Sequence, residues 1–132
     1  MKTIGAVALG LLLLAGCSRQ PKSEASDPYA GLDQAILAWK ADITAHDRSC
    51  RGRTPQQKCE MFEVSCKAQR VITPQEKAAG VTAKLVADMS WSGFDANGAP
   101  QTASADALFE KVGGAWTRTP HKAVNPETCA DL

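Results

Sequence analysis

Between Val81 and Trp91 every second residue is apolar. Val81, Ala83, Leu85, Ala87, Met89 and Trp91 alternate with Thr82, Lys84, Asp88 and Ser90, and only Val86 breaks the polar set. Period two specifies a half-buried β-strand, because successive strand side chains point to opposite faces. A strand of this kind needs hydrogen-bonded neighbours, and the residues after it provide them. Asp95 to Pro100, containing Asn97-Gly98, reads as a hairpin loop. Thr102 to Val112 returns as a second strand with weaker, alanine-rich patterning. Gly113-Gly114 suits a two-residue turn into a third strand, Ala115 to Thr119. That turn predicts Phe109 beside Arg118 and Lys111 beside Trp116. Residues 120–132, with two prolines, read as an irregular tail.

Upstream of the sheet the period changes. Asp27-Pro28 combines a good N-cap with a residue suited to the first helical position. Tyr29, Leu32, Ile36, Trp39 and Ile43 then recur at spacings that make one helical stripe, with His46 next along it as a local C-terminal cap. Residues 47–53, with three arginines, form a polar loop read as a surface cluster. Thr54-Pro55-Gln56-Gln57 reads as a second helix start, with Cys59, Phe62 and Cys66 on one face and Glu60 and Glu63 on a solvated side. Thr73-Pro74-Gln75-Glu76 repeats the start signal, and Gly80 limits it to a short turn. The predicted fold class is therefore α+β: two N-terminal helices and a short helical turn packed on a three-stranded antiparallel meander, stapled by disulfides.

The N-terminal segment carries a different kind of information. Lys2 precedes a run from Ile4 to Leu14 that is apolar or glycine, followed by Ala15-Gly16-Cys17. As a helix the run spans roughly 16 Å, too short for a hydrocarbon core of about 30 Å, so it reads as a signal-peptide core. Leu14-Ala15-Gly16-Cys17 resembles the lipobox of bacterial lipoproteins. The resemblance covers the first 17 residues only and implies cleavage after Gly16, with Cys17 diacylated by palmitate-type chains. Each buried methylene contributes about 0.8 kcal/mol, so several chains hold the protein durably on the bilayer. Ser18 rather than Asp after the cysteine implies the outer membrane, with inner-membrane retention as the alternative. The organisation that follows is a signal peptide over 1–16, a lipidated cysteine and flexible tether over 17–27, and one small domain over 28–132.

Cleavage before Cys17 leaves a chain of about 116 residues, enough for one domain with a modest core. Lys2 leaves with the signal, so basic and acidic side chains balance, which gives no electrostatic case for nucleic acid as a partner. With Cys17 acylated, Cys50, Cys59, Cys66 and Cys129 remain, an even set that predicts two disulfides in an exported chain. On the predicted second helix, Cys59 and Cys66 stand about 10 Å apart along the axis, too far to pair. Cys50 is within easy reach of Cys59. The favoured pairing is thus Cys50–Cys59 and Cys66–Cys129. There is no Cys-x-x-Cys, and neither His46 nor His121 completes a usual zinc spacing, so no metal or other cofactor is expected.

No hydrolase, phosphate-loop or dinucleotide motif occurs. The expected function is a non-enzymatic binding or structural module on the periplasmic face of the outer membrane. Its partners would be the bilayer, through Cys17, and a periplasmic or outer-membrane protein. The run from Phe109 to Trp116 is similar to the terminal hairpins of cystatin and nuclear-transport-factor folds. That resemblance implies the alternative of a small-molecule pocket between the first helix and the sheet. In either case Trp39, Met89, Trp91 and Trp116 are the candidate ligand or partner surface.

Overall fold

The computed structural model describes residues 27–52 and 54–132. Cys17 and the proposed leader lie outside the described residues, as does Arg53. The chain runs α1 (Leu32–His46), a 3-10 turn (Arg48–Cys50), β1 (Glu60–Gln69), α2 (Pro74–Ala78), β2 (Val81–Phe94), β3 (Pro100–Val112) and β4 (Ala115–Pro120). The strands form one antiparallel sheet in the order β1-β2-β3-β4.

Two features of the predicted fold class are corrected. The sheet has four strands rather than three, and the helix expected after Thr54 is strand β1. Thr54 starts only a turn, closed by Gln57 N–H on its carbonyl. Beyond it, Phe62, Val64, Cys66 and Ala68 are the inward members of an alternating set, and Cys59, Phe62 and Cys66 also fit a helical face. Phe62 and Cys66 belong to both sets, and the unpaired edge of β2 decides between them. Without β1, a strand buried from Leu85 to Met89 would leave one edge of donors and acceptors unmet.

The first helix starts later than its Asp-Pro signal predicts. Asp27 Oδ1 accepts from Tyr29 N–H at 2.8 Å, but Gly31, at φ 84°, breaks the turn before α1 begins at Leu32. Leu32, Trp39 and Ile43 are buried on Leu85, Ala87, Met89, Trp91, Ala107 and Phe109, forming the main core on one face of the sheet. The short helix α2 has a reciprocal cap. Thr73 Oγ1 accepts from Glu76 N–H at 3.2 Å, and Glu76 Oε2 accepts from Thr73 N–H at 2.8 Å. Gly113 and Gly114 have φ of 58° and 81°, as a primed hairpin turn requires. The turn sets Phe109 opposite Arg118 and Lys111 opposite Trp116.

The other face of the sheet is covered as well, so β2 is not half-buried. Val86 packs with Cys66, Val124 and Cys129 in a second, smaller core under the C-terminal segment. Arg70 holds that segment down, its Nη2 donating to Cys129 O at 2.7 Å and to Asp131 Oδ1 at 2.9 Å. Cys50 is bonded to Cys59 and Cys66 to Cys129. The pairs are those favoured from the sequence, although the helix used to argue for them does not exist. The register of β1 supplies the reason. Val64 stands opposite Met89 and Cys66 opposite Asp88, with a shift between them that leaves Ser65 as the extra residue of a bulge. Val64 therefore turns toward α1 and Cys66 toward the C-terminal segment. One disulfide lies on each side of the sheet.

Candidate functional site

Three of the four aromatic and methionine positions proposed as a surface are interior. Trp39, Met89 and Trp91 are each 2% exposed. Trp39 meets Phe109 edge-on at 5.6 Å, and Trp91 stacks on Phe62 at 5.8 Å. They fill the space between α1 and the sheet where a ligand pocket was expected. Trp116 is half-buried and acts as a clasp: its Nε1 donates to Ala30 O at 2.9 Å, and its ring stacks near Tyr29. Packing large apolar rings into the main core removes them from any docking surface. Among the described residues, the other exposed large apolar side chains, Leu37, Met61, Val71, Val112 and Leu132, lie on five separate segments.

Neither histidine meets a serine among the described residues. His46 Nδ1 sits 2.9 Å from Asp42 Oδ1, and Arg118 Nη2 donates to Asp42 Oδ2 at 2.7 Å. These hydrogen bonds, Arg118 first, hold the Asp42 carboxyl below its usual range. The group edges a cleft of about 270 Å³ beside Trp39, slightly under the size usual for a small-molecule site, about 300 Å³ and up. His121 opens the C-terminal segment, with Nδ1 2.8 Å from Lys122 O. Among the described residues there is no group of three or more histidine, cysteine or acidic side chains suited to a metal. No helix among them is long and apolar enough to cross a membrane.

A groove of about 450 Å³ lies between the 3-10 turn and the β2–β3 hairpin, with Arg48 and Arg51 on one wall and Phe94, Asp95 and Gln101 on the other. Its first wall is built from the sequence upward. Asp47 caps the turn, Oδ1 accepting from Ser49 N–H at 2.8 Å and from Ser49 Oγ at 2.7 Å. Trp91 Nε1 in turn donates to Ser49 Oγ at 2.8 Å, tying the turn to the core. The Cys50–Cys59 disulfide fixes its far end to the start of β1. Gly93 lets the turn approach, because a Cβ there would lie 2.8 Å from Ser49 Cβ, O and Oγ. Across the groove, Asp95 Oδ1 accepts from Asn97 N–H at 2.8 Å and Ala99 N–H at 2.9 Å, which rigidifies the hairpin tip.

Arg48 and Arg51 form no ion pair among the described residues. Asp47 and Asp95 each have Oδ1 committed to backbone N–H groups, and neither guanidinium donates to another described residue. Five N–H donors in a planar fork suit a carboxylate or phosphate. The sequence contained the arginines as a loop cluster but no sign that they line a groove. That depends on Gly93 and Trp91, 40 or more positions away. No family model, no curated protein and no solved structure matches this chain.

Proposed function

We propose that this chain is a lipid-anchored, non-enzymatic binding module on the periplasmic face of the outer membrane. It is held by acylated Cys17, with the Arg48–Arg51 groove as its binding surface for ligands carrying carboxylate or phosphate groups. The observation that carries the reading is the seating of the arginine-bearing turn by a disulfide, a capping aspartate, a buried indole donor and a glycine contact. Pre-organised donors lose less entropy on binding than a mobile loop does. The lipobox residues Leu14 to Cys17 support the anchor, and two disulfides suit an oxidising compartment.

Two measurements test it. Metabolic labelling with a fatty-acid probe is expected to mark the protein, and Cys17→Ser to abolish the label and release the chain from membranes. An unlabelled, soluble wild type refutes the anchor. NMR titration with polyglutamate and with polyphosphate is expected to shift amides of residues 47–51 and 94–103. The paired change R48A/R51A should weaken binding at least tenfold. Shifts elsewhere, or affinity untouched by that change, refute the groove.

A further inference from the structure

Asp88 and Asp106 are the polar anomaly of this fold. They stand directly opposite one another on β2 and β3, where facing Cβ atoms are about 5 Å apart. Asp88 is 3% exposed, and one carboxyl oxygen of each residue is buried without a hydrogen-bond partner. The C-terminal strap, residues 121–129, covers them. His121 N–H donates to Asp106 O at 3.0 Å, and Cys129 is bonded to Cys66, whose register partner is Asp88. The strap is thus anchored at both ends on the two strands that carry the pair and their neighbour.

We propose that Asp88 and Asp106 hold one proton between them and that this proton makes closure of the C-terminal strap pH-dependent. With the proton present, the O–H of one carboxyl donates to the free oxygen of the other, and both orphan oxygens are satisfied. Without it, two like charges face each other in a covered site, which burial and mutual repulsion oppose. Lifting the strap then admits water to both. Burial, and next the hydrogen bond and charge of Asp88, push the Asp106 carboxyl above its ordinary range, while Val124 N–H and His121 pull the other way.

His121 favours ionisation of Asp106, and the cations around the pair are engaged by other carboxylates. From the strap side, His121 Nε2 and Lys122 Nζ lie 3.9 and 3.4 Å from the Asp131 carboxylate. From β1, Arg70, just past its end, is taken by Cys129 O and Asp131. From β2, Lys84 pairs with Glu76 and with Glu110 of β3. On this face β4 presents Thr117 and Thr119, opposite Glu110 and Leu108.

A carboxyl whose pKa is raised in the closed form favours closure fully below its ordinary value, 3.8. It loses that contribution as pH climbs through the raised value. One proton released on opening increases the open population by up to tenfold per pH unit in that window. The two disulfides provide the assay. The full chain is reduced with a phosphine between pH 4 and pH 8, and the rate at Cys66–Cys129 is divided by that at Cys50–Cys59. The ratio is expected to rise with pH in the wild type and to stay flat in Asp106→Asn, whose amide donates permanently to Asp88. A flat wild-type ratio, or an equal slope in the variant, overturns the proposal. If Asp106→Asn does not fold, carboxyl-carbon NMR of the wild type decides: one carboxyl titrating well above the ordinary range supports the shared proton, and both titrating near pH 4 refutes it.

Discussion

Gly93→Ala is the substitution that most directly probes how the groove is built. The new methyl would fall 2.8 Å from Ser49 Cβ, O and Oγ, closer than real Cβ contacts come. Restoring ordinary contact requires the turn and β2 to part by more than half an ångström. The turn cannot swing freely, because Cys50 is bonded to Cys59. Two costs follow. Overpacking of this kind takes about 1–3 kcal/mol. Separation also stretches the 2.8 Å bond from Trp91 Nε1 to Ser49 Oγ, and a buried donor without a partner costs about 1–3 kcal/mol. Partial relaxation makes the terms overlap, so we expect a loss near 3 kcal/mol, or roughly 10–20 °C in Tm for a domain of this size. Urea unfolding followed by tryptophan fluorescence measures it, and the Trp91 indole N–H resonance reports the hydrogen bond separately. Adding Ser49→Gly removes two of the three clashing atoms, so the double variant should lose less than the sum of the singles. A loss under 1 kcal/mol with the indole resonance unmoved would show that the turn is not seated as described.

Removing the two disulfides should have unequal effects. With residues 63 apart, the Cys66–Cys129 link closes a far longer loop than Cys50–Cys59, at 9. The chain-entropy treatment then gives about 4 kcal/mol for C66A/C129A against about 2.5–3 for C50A/C59A in urea unfolding; equal losses would contradict it. Phe109→Ala, at a fully buried residue against Trp39, is expected to cost about 3–5 kcal/mol by the same measurement. A cost near 1 kcal/mol would mean the core has collapsed into the gap. Asp42→Asn tests the Arg118 pair. The carboxyl is held below its ordinary 3.8, so its contribution is present at neutral pH and lost as pH falls through the depressed value. The variant should therefore be slightly less stable than wild type at pH 7 and converge with it near pH 2, followed by thermal unfolding.

What local chemistry dictated was readable in order along the chain. The alternation from Val81, the paired glycines at 113–114 and the Thr73 capping box each depend on neighbours a few positions away. They place β2, the last hairpin and its register, and α2. Segment 59–69 misleads on the same terms, since Phe62 and Cys66 satisfy a helical and a strand period at once. The open edge of β2 resolved it, and a bulge at Ser65 then turned Val64 and Cys66 to opposite faces of the sheet. The groove and the acid pair lie further still from local reading. Arg48 and Arg51 line a groove because Trp91 and Gly93 receive the turn that carries them. Asp88, a polar member of an alternating strand, is buried because Cys129 draws the C-terminal strap over it from across the chain. Sequence periodicity decides which face a side chain takes, and only the closing of distant segments decides whether that face meets water.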